Sequence, residues 1–341
     1  MKRLARHALF WPTLTLLLLI LVSAIFHPGF LAISWQNGHL FGNLIDILNR
    51  AAPLIVVSLG MTLVIAVRGL DISVGAVMAI AAVVAALMVG GSFSADGEVV
   101  SEHPLWLSLA CALAVATACG LWNGLLVVKA GMQPIIATLI LMVAGRGIAQ
   151  LLTGGQIITV YYPPFFTLGN GHWAGLPAAL WVAALLWLAL QLLLSRTALG
   201  LFIRAIGGNP EAARVAGVRA GALTLCVYTF CGLAAGLAGL IVSSNVKSAD
   251  ANSAGQLLEL DAILAVTLGG TALTGGRFTL AGSVLGALII QTLTSMIYSL
   301  GVPPEVNLVV KAVLVFLVML LQSPDFRALL AGLTRRGNTA R

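Results

Sequence analysis

Apolar runs of close to twenty residues recur along the chain, separated by short intervals that hold most of its charged residues and prolines. A helix needs a run of about that length to cross roughly 30 Å of hydrocarbon. The pattern predicts an all-α polytopic membrane protein of about ten transmembrane helices, near residues 8–26, 51–67, 72–90, 105–128, 134–153, 177–195, 221–243, 260–275, 279–300 and 306–322. No polar interval is long enough for a separate soluble domain, so residues 1–341 read as one transmembrane domain.

Three intervals break the pattern. Gly69–Gly75, GLDISVG, places a charge and two glycines between the second and third runs. Leu268–Gly276, LGGTALTGG, interrupts a run in the second half with four glycines. Interrupted helices in corresponding halves point to a substrate path, whereas the plainer alternative is a pair of tight turns at the membrane surface. The third, Thr197–Ala220, is the longest polar interval of the second half and carries a short helix with both ends marked. Gly208 leads into Asn209, an N-cap residue; Pro210 takes the first helical position and Glu211 the positive end of the dipole. Gly217 is placed to end the helix in a left-handed conformation. Ala212, Ala213 and Ala216 give it a small-residue surface on which a partner's backbone can approach closely. It reads either as a capped turn between spans or as a helix offered to a cytoplasmic partner.

Composition agrees with the pattern: 60% of residues are hydrophobic and 9% charged. The formal charge of +7 is therefore a matter of topology and not of nucleic-acid binding. Arg68, Lys129, Arg196, Arg204, Arg214, Arg219 and Arg277 fall on one side with the basic N-terminus, while Lys247, Arg50 at a span edge, Asp96, Glu98, Glu102, Asp250 and Glu305 fall on the other. That asymmetry predicts both termini in the cytoplasm. The basic Met1–His7 leads into a run too long for a signal peptide, which reads as an uncleaved first span. Cys111, Cys119, Cys226 and Cys231 all lie inside apolar runs and read as small buried hydrophobes.

The chain carries no phosphate-binding loop and no H-E-x-x-H or clustered ligand set, so no catalytic residue, metal or cofactor is expected. What remains are polar groups at membrane depth. Asp71, Ser73, Asn123, Thr138, Gln150 and Asp261 are the candidates for a substrate path; Arg146, Glu259 and Lys311 accompany them. An ionisable group there costs at least about 2.5–3.5 kcal/mol unless it has a partner or a wet cavity. Each of these groups can equally serve to hold helices together: Arg146 and Lys311 by pairing with acids on other helices, Asp71 and Asp261 by pairing with Arg68, Lys311 or backbone N–H groups.

Three motifs, GLDISVG at 69–75, AIGGNPEAARVAG at 205–217 and ELDAILAVTLGGTALTGGR at 259–277, resemble the inner-membrane permease subunits of bacterial monosaccharide ABC importers of the ribose type. DILNRAAP at 46–53, LILMVAGRGIAQ at 139–150, ADANSAG at 249–255 and PPEVNLVVKAV at 303–313 narrow the resemblance to permeases of the galactofuranose type. It covers roughly residues 40–322. The resemblance implies a cytoplasmic ATP-binding subunit, a periplasmic sugar-binding protein and a second permease subunit, a heterodimer being favoured. It also implies that Asn209–Gly217 is the coupling helix. Thr292 and Thr294 stand where ribose-type permeases often carry asparagine, which leaves the sugar open. The alternative is a self-sufficient carrier driven by protons or sodium, with Asp71 and Asp261 as its ion-binding acids.

Overall fold

The computed structural model describes residues 9–27, 29–36, 38–93, 99–301 and 304–322. Thirteen helices account for most of them: α1 (Phe10–Phe26), α2 (Asn43–Ala66), α3 (Val74–Val89), α4 (Leu105–Val128), α5 (Pro134–Thr153), α6 (Thr167–Asn170), α7 (Ala178–Arg196), α8 (Leu199–Gly208), α9 (Pro210–Val215), α10 (Ala220–Val246), α11 (Leu258–Leu268), α12 (Leu280–Ser299) and α13 (Pro304–Gln322). Six of the described helices, α2, α4, α5, α7, α10 and α12, are long and apolar enough to cross a membrane, and the shorter α1 and α3 are equally apolar. The basic terminal residues Lys2, Arg3, Arg6, Arg327, Arg335, Arg336 and Arg341 lie outside the described residues, as do Asp96 and Glu98.

The helices are not equivalent. Of the α2 core window 83% is buried, against 28% for α5. The center is α10, packed on α2, α3 and α4, with α12 and α11 against α2. Small residues set the spacing. Gly120 of α4 and Gly232 of α10 face one another so closely that a Cβ on either would stand 2.7–2.9 Å from the other's backbone. Packing of this kind, not hydrophobicity, holds helices together in lipid.

The connections gather into two faces. On one, Gly276 N–H donates to the Ala66 carbonyl, joining the 269–279 segment to the end of α2. On the other, Leu40 N–H donates to the Gly175 carbonyl, His27 meets the Ser299 carbonyl, and strand 158–159 pairs antiparallel with strand 248–249.

Several predicted elements change shape. The second helix starts earlier, at Asn43, where Asp46 and Arg50 pair one turn apart at 2.8 Å. The eighth run is helical only over α11, which has 11 residues, and continues as irregular backbone to Thr279. The stretch 199–208, read as part of a polar interval, is itself helical, because Ile203 and Ile206 bury one face while Leu201 stays exposed. The 154–176 segment between two predicted runs is packed into the protein: Phe165 is buried, and Ser244 donates to its carbonyl at 2.8 Å. Of the cysteines only Cys231 is buried, and Cys226 is exposed.

Candidate coupling and translocation sites

Three polar assemblies stand out, one on each face and one between them. The first is the short helix α9. Asn209 caps it, its Oδ1 accepting from the N–H groups of Glu211 and Ala212, both at 3.1 Å. Pro210 opens the helix, and Gly217 follows its end at φ 84°. Glu211 and Arg214 pair across one turn, both well exposed, so the pair adds little stability but fixes charge on the outer surface. The small-residue surface is divided, however. Ala213 is turned inward and 4% exposed, while Ala212, Ala216 and Val215 face out, Val215 at 81%. Ala213 therefore seats the helix on its own protein, and the face open to a partner is Ala212, Val215 and Ala216 with the ion pair.

The segment just before α9 is clamped. Arg68, in a left-handed conformation at φ 65°, donates from Nε to the Gly207 carbonyl at 2.7 Å and from Nη2 to the Gly208 carbonyl at 2.5 Å. These are carbonyls at the end of α8, where a cation is also favoured by the helix dipole. A Cβ on Gly207 would collide with the Ala66 carbonyl and the Gly276 N–H. The ends of α2 and α8 and the turn at 275–276 thus meet backbone to backbone, directly beside the start of α9. Arg204 lies 5.3 Å from the center of the Phe278 ring, a second link to the same turn. Arg68 was visible in the sequence as a charge, with Asp71 as its suggested partner; its true destination is 139 residues away and leaves no local signal.

The second assembly is the buried turn between α2 and α3. Asp71 is 1% exposed and its Oδ1 accepts from Ser73 N–H at 3.0 Å, Ser73 Oγ at 2.6 Å and Asn123 Nδ2 at 3.4 Å. Asn123 also donates to Ser73 Oγ at 2.8 Å. Thr138 of α5 accepts from Ile72 N–H at 3.3 Å. The structure therefore brings together four of the candidate path residues, Asp71, Ser73, Asn123 and Thr138, into one knot with no open surface. Asp261 is elsewhere. It pairs with Lys311 of α13 at 2.6 Å, partly shielded, so the suggested pairing of Lys311 with an acid of another helix is what the structure holds.

The third assembly is the loop 247–257. It does not run over the surface. Arg146 of α5 donates from Nη1 to the carbonyls of Ala251 at 3.0 Å and Ala254 at 2.6 Å, where the sequence suggested an acidic partner. Gln150 donates to Asn252 Oδ1 at 2.6 Å. A Cβ on Gly75 of α3 would collide with the Gly255 carbonyl and with Glu259, whose Oε2 is buried without a hydrogen-bond partner. Asn252, Ser253 and Gln256 stay exposed. Of the candidate path residues only Gln150 belongs to this assembly. No cluster of three or more His, Cys, Asp or Glu side chains suited to a metal ion occurs among the described residues.

The sequence profile of the family described as branched-chain amino acid transport system / permease component matches residues 43–319. A galactofuranose transporter permease of Escherichia coli is 48% identical over 334 residues, covering 96% of this chain and 95% of that protein. A fructose import permease of Bifidobacterium longum is 38% identical, covering 98% and 93%. A ribose import permease of Escherichia coli is 35% identical, covering 91% and 92%. No solved structure matches.

Proposed function

The chain belongs to the family of permease components of branched-chain amino acid transport systems, and from that premise we propose that it is the membrane subunit of an ATP-driven importer that moves a monosaccharide, galactofuranose being favoured, across the bacterial inner membrane. The sugar class is supported by the relatives, whose names specify galactofuranose, fructose and ribose over more than nine-tenths of this chain. ATP is hydrolysed by a separate subunit, and a sugar-binding protein delivers the cargo. The second permease is a different chain in this reading, as the galactofuranose-type motifs suggest.

The observation that carries the ATP-driven reading is the capped helix α9, seated by Ala213 and offering Ala212, Val215 and the Glu211–Arg214 pair outward. A protein that needs no motor has no evident use for it. Its face is the cytoplasmic one, which also puts the start of α1 and the end of α13 inside the cell. The ion-coupled alternative needs acids free to take up its ion. Asp71 and Asp261 are the acids the sequence offers, and both are engaged, one by Ser73 and Asn123 and the other by Lys311.

Reconstitution in liposomes with the ATP-binding subunit, the second permease and the binding protein tests this directly. Sugar uptake that requires internal ATP and ignores ionophores is expected. Uptake driven by an ion gradient without ATP would overturn it. Single-cysteine labelling tests the sidedness: Ser101→Cys should react in intact cells, and Ala216→Cys only after the membrane is opened.

A further inference from the structure

The loop 247–257 carries more than a connection between two helices. Its depth can be read from both helices that hold it. Arg146, which binds its carbonyls, precedes the end of α5 by seven residues, about 10 Å at 1.5 Å per residue. Gly75, which touches Gly255, precedes the end of α3 by fourteen, about 21 Å by the same rise. The tip of the loop therefore lies inside the hydrocarbon slab and not at its surface. Irregular backbone survives there only when buried in protein or beside water, because each unpaired polar group costs several kcal/mol in lipid.

Ala251 and Gly255 turn inward and are buried, but Asn252, Ser253 and Gln256 point outward, with Gln150 of α5 bonded to Asn252. Three exposed polar side chains on irregular backbone at this depth fit a water-filled route and not a lipid boundary. Their chemistry is also specific. Amides and a hydroxyl both donate and accept, they carry no net charge, and a sugar hydroxyl does the same. Asp250 is drawn back from the ledge by bonds from Asn252 N–H and Ser253 Oγ, so its charge is occupied locally.

We infer that Gln150, Asn252, Ser253 and Gln256 form a neutral ledge that lines the aqueous route and makes passing hydrogen bonds to the hydroxyls of the sugar. Arg146 is a positioning residue that holds the ledge at depth through two backbone carbonyls. The inference rests on the permease reading above and gives it a definite wall.

Two measurements on the reconstituted complex test it. The first uses Asn252→Cys, Ser253→Cys and Gln256→Cys, each in a chain whose four native cysteines are replaced. A membrane-impermeant cationic methanethiosulfonate should modify them at least ~10-fold faster than Leu18→Cys on the exposed face of α1, because only a hydrated thiol ionises and reacts. Rates equal to that of Leu18→Cys would overturn the wet ledge. The second follows uptake of radiolabelled D-galactose from its binding protein. Asn252→Ala and Gln256→Ala should each slow uptake about 3- to 10-fold, the range of one lost hydrogen bond, with assembly and ATP hydrolysis unchanged. Wild-type uptake in both variants would overturn the contact with sugar. If the unsubstituted complex moves no sugar at all, the permease reading and the sugar contact fall together, while thiol reactivity still decides whether the ledge is wet.

Discussion

The turn after α2 and the loop after α10 begin in the same way and end differently. Each long helix stops at a basic residue in a left-handed conformation, Arg68 at φ 65° and Lys247 at φ 58°. Each then carries an acid three residues on, Asp71 or Asp250, which accepts from the backbone N–H two residues further along and from a nearby serine hydroxyl. In the first, Arg68 reaches over to α8, Asp71 is buried, and everything polar turns inward. In the second, Lys247 lies over the Phe166 ring at 5.1 Å, Asp250 is half-buried, and Asn252, Ser253 and Gln256 stay open. One local device thus buries its polar groups in the first case and leaves polar side chains exposed in the second. The local chain does not decide which; what packs around it does.

The two regions meet at Gly75, two residues after Ser73 and in contact with Gly255. A substitution there should have the largest effect. Gly75→Val forces a branched side chain against the Gly255 carbonyl and Glu259, and overpacking of this kind costs about 1–3 kcal/mol or more. We expect little monodisperse protein in detergent and a clearly lower Tm for what remains. A Tm unchanged from wild type would mean that the two regions are not packed as described.

Next in size is Arg146→Met, which keeps a flexible unbranched stem but strands two carbonyls. Each buried polar group left unsatisfied costs about 1–3 kcal/mol. The loss should be local, with the buried turn at Asp71 untouched. Protease susceptibility or hydrogen exchange confined to 247–257 is the expected readout. Equal loosening at 67–73 would show that the two regions behave as one.

Arg68→Gln probes the closed side in turn. The shorter neutral side chain cannot span both α8 carbonyls, so movement of the coupling segment would no longer be passed firmly to α2. The expected result is uncoupling: about a tenfold fall in sugar moved per ATP hydrolysed, one order of magnitude for a loss of about 1.4 kcal/mol in coupling. ATPase binding should be normal. If transport and hydrolysis fall in proportion, the clamp only stabilises the fold.

These contrasts also show what the sequence could and could not tell. The spans were legible because length and hydropathy are local properties, and α4, α5 and α7 lie where the apolar runs place them. The cap of α9 was legible too, since Asn209, Pro210 and Glu211 act on each other within one turn. The inward turn of Ala213 was not, because only the protein beneath the helix distinguishes it from Ala212 and Ala216. Nor were the partners of Arg68, Arg146 and Asp261, which lie 139, 105 and 50 residues away. The descent of 247–257 was hidden for the same reason. Nothing within ADANSAG points to Arg146, 105 residues away, which supplies the donors for its carbonyls.

The smallest effect should come from Asn209→Ala, and it separates how α9, the proposed coupling helix, is fixed from how its movement is passed on. Asn209 directly follows the two glycines that Arg68 holds, so the clamp and the cap are adjacent but distinct. The clamp fixes the end of α8; the cap fixes the start of α9 by satisfying two N–H groups. Loss of an N-cap side chain costs about 1 kcal/mol, and glycine at the cap only a few tenths. Asn209→Ala should therefore fray α9 and weaken binding of the ATP-binding subunit about fivefold. Asn209→Gly should weaken it much less and Asn209→Asp hardly at all. Sugar moved per ATP should stay normal in all three, the reverse of the Arg68→Gln pattern. Titration of the ATP-binding subunit onto the reconstituted permease, followed by a coupling measurement at saturation, distinguishes the two. If Asn209→Ala uncouples at saturating ATP-binding subunit, the cap and the clamp form a single element, and the closed side of the molecule extends into the coupling helix itself.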